Sequence, residues 1–209
     1  MQISSFNSLN EIFFLQCEKY QKEDHLFFNN LNLKKFQTYT WSDTTNNVLK
    51  LAKFLNEKNI TKGDRVLLVS ENRPEWLIAD LAILLNSAIT VPNYTTYTVN
   101  DFAFTINDCK PSGLIVSTPQ LLKNILLAAK KINYNFNFII LLNQANESVA
   151  GNVVNFSTVL EKKIDIEETK IFFRGINKSL TRKDPACIIY TSGTQGTPKG
   201  VVLSHGGIL

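Results

Sequence analysis

The stretch that decides the fold is Gly63–Val91, GDRVLLVSENRPEWLIADLAILLNSAITV. Its first part, Arg65 to Ser70, is a continuous apolar run, which is typical of a strand in a sheet covered on both faces. A helical pattern of apolar residues follows from Pro74 to Leu85. A short second strand is predicted at Ala88 to Val91. A strand, a helix and a strand over this length predict two parallel strands joined by a helix that covers one face of the sheet.

The same alternation continues on both sides of this stretch. Toward the C-terminus we predict a helix from Val99 or Asn100 to Asp108, a strand at Gly113 to Val116, a helix at Leu121 to Lys130 and a strand at Phe136 to Leu142. Toward the N-terminus we predict a helix at Leu9 to Tyr20, strands at His25 to Phe28 and Phe36 to Thr40, and a helix from Ser42 to Leu55. The fold class is therefore α/β, with a mainly parallel sheet flanked by helices.

Several boundaries rest on single residues. Ser8 and Ser42 are the expected N-caps of the first two helices, and Asn72 is the expected N-cap of the third. Pro92 should end its strand, because proline lacks the N–H that a ladder needs. Later in the chain, Phe156 to Lys163 predicts a short helix, and 164–182 a charged connector with partial helical character.

Composition excludes several classes of protein. The chain has 209 residues, 44% of them hydrophobic, and 14 are Phe, so it can fill a core and is not disordered. Its net charge of +4 is scattered, without the basic and aromatic interleaving of a nucleic-acid groove, so no nucleic-acid partner is expected. The apolar run Ile12 to Leu15 is too short to span a bilayer. We expect a cytoplasmic protein; peripheral association with the inner face of a membrane and the oligomeric state stay open.

The three cysteines, Cys17, Cys109 and Cys187, are far apart and have no metal-binding spacing. We expect buried free thiols in a reducing compartment.

A different kind of sequence lies near the C-terminus. Ile188–His205 is IIYTSGTQGTPKGVVLSH: a β-branched strand, a polar glycine-rich loop and a second β-branched strand from Val201 to Leu203. Such a loop suits an anion with many oxygens, because glycines let backbone amides converge on it and hydroxyls add donors. Lys199 adds a compact positive charge, and Pro198 restricts the backbone before it. We therefore predict a phosphate-binding loop.

This loop does not have the spacing of nucleotide-triphosphatase loops, in which Lys follows the second Gly directly and a helix follows Lys. Here Gly193 and Gly196 are two residues apart, Pro198 precedes Lys199, and a strand follows. A polar hairpin with an incidental lysine is the structural alternative.

The segment from Thr191 to Gly200 resembles the signature phosphate loop of the adenylate-forming (AMP-binding) superfamily. The superfamily pattern is a turn rich in Thr, Ser and Gly that is followed by Pro-Lys-Gly. Gln195 departs from it, since members usually carry Thr or a small residue there. Two longer stretches, Gly63–Thr98 and Asp184–Leu209, resemble long-chain fatty-acid CoA ligases (acyl-CoA synthetases).

The resemblance implies an enzyme that activates a fatty acid with ATP to an acyl adenylate and then transfers the acyl group to coenzyme A. It implies that Lys199 is catalytic and that Thr191 helps to hold Mg²⁺. The residues implied to contact nucleotide phosphates are Thr191, Ser192, Gly193, Thr194, Gln195, Gly196, Thr197, Pro198, Lys199 and Gly200. Fatty acid, ATP and coenzyme A are then the small-molecule partners.

The resemblance also implies a domain assignment. Residues 1–209 correspond to the N-terminal portion of an AMP-binding domain, with the phosphate loop between two late strands, and without the later motifs and the C-terminal lid domain. We expect a truncated chain that is nearly inactive alone. Two alternatives stay open: an acyl-AMP ligase or amino-acid adenylation domain that delivers to a carrier protein, and a non-catalytic nucleotide-binding module.

A few other residues are weaker candidates. His205 invites a catalytic role, but we interpret it as a structural residue at a strand end. Arg73 and Glu75 are interpreted as helix-start and packing residues. The loop from Tyr94 to Tyr97 is expected near the substrate path.

Overall fold

A computed structural model describes residues 5–30, 35–144, 152–191 and 198–209. The helices are α1 Leu9–Tyr20, α2 Trp41–Glu57, α3 Pro74–Leu85, α4 Val99–Cys109, α5 Pro119–Lys131, α6 Phe156–Glu161, α7 Ile166–Asn177 and α8 His205–Ile208. The strands are β1 Asp24–Asn30, β2 Lys35–Thr40, β3 Arg65–Val69, β4 Ile89–Asn93, β5 Gly113–Val116, β6 Phe138–Leu141, β7 Val153–Asn155, β8 Pro185–Thr191 and β9 Lys199–Ser204.

Seven of these strands form one sheet in the order β7-β6-β5-β3-β4-β8-β9. All neighbouring pairs in it are parallel except β8 and β9, which are antiparallel. Strands β1 and β2 form a separate antiparallel pair. The predicted α/β class with a mainly parallel sheet is confirmed, and the loop after Thr191 lies between two late strands as expected.

Helices cover both faces of the sheet, and the strands alternate between two cores. Val66 and Leu68 of β3 pack into one core with α1, α2, α3, α6 and α7. Leu67 and Val69 point to the other face, where they pack with α4 and α5. All four side chains are fully buried. The continuous apolar run of β3 is explained by this two-sided burial, in which each side chain contributes about 1.5–3 kcal/mol.

Two of the three predicted N-caps are wrong. Ser8 caps α1 as expected, and its hydroxyl accepts the N–H of Glu11. Helix α2 is capped by Thr40, because Thr40 and Asp43 form a reciprocal capping box that leaves Ser42 inside the first turn. Helix α3 is capped by Arg73, which makes no side-chain cap bond, and not by Asn72.

The expectation that Pro92 ends its strand is also wrong. Strand β4 continues to Asn93, and Pro92 pairs with Leu68 of β3. On its other side, β4 pairs with β8 at Thr90 and Cys187. Pro92 lies beyond this pair, so its missing N–H interrupts no described pairing with β8.

The region predicted as a charged connector with partial helical character contains a regular helix, α7. Asp165 caps it by accepting the N–H of Glu168. Buried Asn177 fixes its C-terminal end, because its side-chain amide donates to the carbonyl oxygens of Leu85 and Phe173. Across the described ranges, every helix is too short or too polar to cross a lipid bilayer.

Candidate functional site

The two ends of the predicted phosphate loop lie next to each other in the structure. In the β8–β9 hairpin, Thr191 is the cross-strand partner of Lys199. Both residues are exposed, so the hydroxyl and the ammonium face solvent at the mouth of the loop. Six residues with predicted phosphate contacts lie outside the described ranges: Ser192, Gly193, Thr194, Gln195, Gly196 and Thr197.

Tyr190 fixes the strand directly before the loop. Its side chain is buried, and its phenol O–H donates to Oδ2 of Asp108 on α4 at 2.5 Å. The ring also meets Phe104 edge-on, with 6.2 Å between the ring centroids. Burial, and then the bond to Asp108, raise the pKa of Tyr190 well above its usual range, so the phenol keeps its proton. The start of the loop is therefore anchored to a helix on the sheet face.

Gly200 stands opposite Tyr190 on the returning strand. A methyl group on Gly200 would come within 3.1 Å of Cγ2 of Ile188 and 3.2 Å of Cζ of Tyr190. Such contacts are too close for carbon atoms, which prefer about 3.5–4.0 Å. Glycine at this position therefore lets the side chains of Ile188 and Tyr190 pack closely over the returning strand without being displaced.

An open pocket of about 480 Å³ lies beside the mouth of the loop. Its described walls come from the β4–α4 loop, α4 and the two ends of the hairpin. They are Tyr94, Tyr97, Asp101, Phe104, Thr105, Ile189, Tyr190, Thr191 and Pro198. Tyr94 and Tyr97 thus lie next to the two ends of the loop, and their place near a substrate path stays a prediction.

The pocket combines an aromatic wall with a few polar groups. Tyr94 and Tyr97 meet edge-on at 5.6 Å between ring centroids. The carboxylate of Asp101 accepts the backbone N–H and the hydroxyl of Thr98, at 2.9 and 2.7 Å, so it is held back as the cap of α4. Lys199, which does not line the pocket, forms no ion pair with any described residue. An anionic ligand at the loop would therefore meet a lysine that needs to break no described salt bridge.

The described residues allow a limited test of a magnesium site. They contain no group of three His, Cys, Asp or Glu side chains that could hold a metal. Mg²⁺ bound with nucleotide phosphates needs few protein ligands, since phosphates and water supply most of its oxygens. The exposed hydroxyl of Thr191 fits such a role as one oxygen ligand.

The weaker candidates lie away from this pocket. His205 is fully buried, its Nδ1 accepts the backbone N–H of Leu9 at 3.3 Å, and burial lowers its pKa. Arg73 pairs with Glu75 at 2.8 Å and donates to Oδ1 of Asn143 at 2.7 Å. These contacts agree with structural roles.

The cysteines are free thiols, as expected. Cys17 and Cys109 are buried, whereas Cys187 is half-buried, so the expectation of full burial is wrong for one of the three. Burial raises the pKa of each thiol to about 11, which disfavours the reactive thiolate.

Sequence reasoning missed the α4 side of the site. Asp108 lies 82 residues before Tyr190, at the end of α4. In the sequence, the polar residues of this helix are typical of a helix face that is exposed to solvent. Phe104 and Thr105 fit the core pattern of the same helix. Only the tertiary contact of α4 with β8 brings these residues to the loop.

Comparison with known proteins gives three concordant results. The family model described as "AMP-binding enzyme" matches residues 13–209. The long chain acyl-CoA synthetase 7, peroxisomal, of Arabidopsis thaliana is 33% identical over 156 residues, which cover 72% of this chain and 21% of that protein. The acetyl-coenzyme A synthetase of Xylella fastidiosa is 31% identical over 179 residues, which cover 81% of this chain and 27% of that protein.

Among solved structures, the fold is similar to that of a luciferase-like enzyme from the mealworm Zophobas morio. The TM-score is 0.80 at 23% sequence identity, over 98% of this chain and 44% of that one. At this identity the similarity establishes the fold alone. This chain spans about a fifth to a third of the length of the curated relatives that it matches.

Proposed function

Since the chain belongs to the family of AMP-binding enzymes, we propose that, in a protein of the relatives' length, it contributes to the ATP-dependent activation of a long-chain fatty acid. The carboxylate is first converted to an acyl adenylate, and the acyl group is then transferred to coenzyme A. The chain would supply the N-terminal portion of the adenylation domain, including its phosphate loop.

The observation that carries this proposal is the pairing of Thr191 with Lys199. It brings a hydroxyl and a positive charge together at the two ends of a loop rich in Gly, Ser and Thr. The anchored Tyr190 holds this mouth beside an open pocket with an aromatic wall. A phosphate chain in the loop and an apolar carboxylic acid nearby match this combination of groups.

The first half-reaction needs charge neutralisation more than covalent help. An oxygen of the fatty carboxylate forms a bond to the α-phosphorus of ATP, and the bond to the bridging oxygen breaks, so pyrophosphate leaves with that electron pair. Lys199 would neutralise the charge on the β- and γ-phosphates as it moves to the leaving group. One such preorganised donor is typically worth about 10²–10³ in rate.

The other loop residues would position the nucleotide. Backbone N–H groups near Gly193 and Gly196, and the hydroxyls of Ser192, Thr194 and Thr197, are the proposed phosphate contacts. Thr191 would give one oxygen to Mg²⁺, which offsets phosphate charge when it is bound. Pro198 and Gly200 would shape the end of the loop, and Gln195 can donate an amide N–H where a hydroxyl is usual.

In the second half-reaction, the sulfur of coenzyme A bonds to the acyl carbon and AMP leaves with the electron pair of the broken bond. The thiol proton goes to solvent or a base. None of the described residues is assigned to this step.

The names of the relatives support a fatty acid as substrate, but they differ in chain length. The Arabidopsis protein is named for long chains, whereas the Xylella protein is named for acetate. Identities of 33% and 31% do not separate the two. Acetate activation is therefore the second candidate.

The test is carboxylate-dependent exchange of labelled pyrophosphate into ATP by the full-length protein, with palmitate, acetate and a panel of amino acids as substrates. We expect exchange with palmitate, and palmitoyl-CoA when coenzyme A is added. Exchange with acetate alone would establish the second candidate. Adenylate without a CoA thioester would indicate an acyl-AMP ligase, and nucleotide binding without any exchange a non-catalytic module. Residues 1–209 alone should show no exchange.

A further inference from the structure

The outer face of α5 combines exposed leucines with lysines and carries no acidic residue. Helix α5, PQLLKNILLAAKK, contains three lysines and neither Asp nor Glu. Its core side is buried through Leu121, Leu122, Ile125, Ala128 and Ala129. The opposite side, called here the α5 outer face, consists of Lys123, Leu126, Leu127, Lys130 and Lys131.

Lysines and leucines alternate along the α5 outer face. Lys123, Leu126 and Lys130 are three and four residues apart, and so are Lys123, Leu127 and Lys130, a spacing that places side chains next to each other on a helix. Leu127 is 48% exposed and Leu126 is 37% exposed. Each leucine therefore has lysines before and after it on the same surface.

Two shallow depressions adjoin at this face. One, of about 300 Å³, is lined by Pro119, Leu122, Lys123, Leu126, Leu127 and Lys130. The other, of about 320 Å³, shares Leu126 and Lys130 and adds aromatic and asparagine side chains from the α5–β6 connection and from Asn152. None of the described lining residues of either depression is acidic. The first depression is thus apolar with lysines at its edge, and the second is more polar and carries Lys130.

We propose that the α5 outer face docks on an anionic phospholipid surface. Leucines of an interfacial helix enter the boundary between headgroups and acyl chains, while lysine stems cover apolar surface and their ammonium groups reach the phosphates. A juxtamembrane lysine is attracted to the negative surface potential of such a membrane. The arrangement of α5 provides both contributions on one helix.

Other partners fit this surface less well. Lysine is depleted at protein–protein interfaces, and two leucines are far from the area that a stable interface buries. A single-stranded nucleic acid would need exposed aromatic side chains for stacking, and α5 has none. In the adjoining depression, Phe136 is buried and Tyr134 donates its O–H to the carbonyl oxygen of Pro111. A second exposed apolar pair among the described helices, Ile171 and Phe172 of α7, shares its helix with Glu167 and Glu168, which an anionic surface would repel.

The test is co-sedimentation of the full chain with vesicles of phosphatidylcholine alone or of phosphatidylcholine with about one third phosphatidylserine. We expect binding to the anionic vesicles and little to the neutral ones. Each lysine near an anionic surface is worth about a fivefold change in partitioning. The double variant Lys123→Gln/Lys130→Gln should therefore bind more than about tenfold less, and Leu127→Gln should also bind less.

Matched controls carry the same changes elsewhere on exposed positions: Lys53→Gln/Lys163→Gln and Ile171→Gln. They should bind as the unchanged protein does, and circular dichroism should confirm that all variants are folded. Equal binding to both vesicle types, no binding, or equal losses in test and control variants would overturn the proposal. Concentration-dependent self-association that Leu127→Gln abolishes, without vesicle binding, would assign the face to a second copy of the chain. The assay needs neither ATP nor coenzyme A, so its outcome is independent of the proposed ligase activity.

Discussion

The phenol oxygen of Tyr190 lies 2.5 Å from Oδ2 of Asp108, which ties the last buried residue before the loop to the end of α4. The contact joins two elements that are distant in sequence and neighbours in space. Because the raised pKa of Tyr190 keeps the phenol protonated, the bond persists over the neutral pH range.

Replacing Tyr190 with Phe tests this anchor. The ring and its contact with Phe104 remain, while the bond to Asp108 is lost, so we expect the free energy of unfolding to fall by about 1 kcal/mol. Urea denaturation measures the change. Tyr94→Phe removes a hydroxyl from a tyrosine that is 65% exposed, and it should leave stability unchanged. Equal stability of Tyr190→Phe and the parent protein would show that the hydrogen bond to Asp108 contributes nothing to the free energy of unfolding.

Replacing Lys199 with Ala tests the proposed chemistry in the full-length protein. Its side chain is exposed and has no described ion pair, so folding and thermal stability should not change. The rate of adenylate formation should fall by about 100-fold, because one charge that stabilises the transferring phosphates is lost. Pyrophosphate exchange reports the rate, and Lys163→Ala is the control for loss of an exposed lysine. Normal exchange in Lys199→Ala would remove this residue from the mechanism.

Asn177 offers a test of how α1 and α7 are held against α3. Its side-chain amide donates to the carbonyl oxygens of Leu85 and Phe173, and its Oδ1 accepts from Nδ2 of Asn10 at 2.6 Å. Asn177→Ala removes these bonds and leaves the buried carbonyl oxygen of Leu85 without this donor, while Nδ2 of Asn10 still donates to the carbonyl oxygen of Leu84, so unfolding should become easier by about 1–3 kcal/mol. Asn135→Ala, at an exposed position, serves as the control. If the free energy of unfolding falls no further than in the control, water replaces the hydrogen bonds of the Asn177 side chain.

The elements that sequence reasoning placed well are those with a strong period or continuous burial. The β3–α3–β4 unit was predicted because a two-sided apolar strand and a proline-initiated helix leave clear local patterns. Local sequence patterns gave the wrong helix or strand boundary where a neighbouring residue or a tertiary pairing decides it. Ser42 is a good cap by type, but Thr40 comes first and pairs with Asp43. Pro92 breaks strands in general, yet here it lies past the pairing with β8.

The candidate site shows a similar division. A local pattern of Gly, Thr, Pro and Lys identified the loop, but both flanking strands extend further than predicted, since β8 continues to Thr191 and β9 begins at Lys199 instead of Val201. The side chains that hold the loop in place come from α4, and neither Asp108 nor Phe104 carries a signal of its own. Such residues act through tertiary contacts, so one sequence without a structure gives no means of selecting them.

Asp184 should stabilise the fold only above acidic pH. Its carboxylate accepts hydrogen bonds from Lys62 at 2.7 Å and from the backbone and hydroxyl of Thr181, and these partners, Lys62 first, lower its pKa to about 2. A lowered pKa in the folded state means that the stabilisation is present above about pH 4 and is lost as pH falls toward 2. Asp184→Asn should therefore cost about 1 kcal/mol at pH 7 and almost nothing at pH 2, since Lys62 is largely exposed. Urea midpoints across pH measure this, with Glu161→Gln as the exposed control.

Asp80 should have the opposite pH dependence, because its half-buried carboxyl contacts Thr90 of β4 and has no cationic partner among the described residues. Burial raises its pKa to about 6, although Thr90 donates its hydroxyl to Oδ1 at 2.6 Å. The unfolded chain loses this proton near pH 4 and the folded chain near pH 6, so stability falls as pH rises between these values and is then constant. Asp80→Asn keeps an acceptor for Thr90 without the charge. It should match the parent protein at pH 4 and exceed it by about 1–2 kcal/mol at pH 7. An advantage that is the same at both pH values would show that this carboxyl ionises as freely in the folded protein as in water.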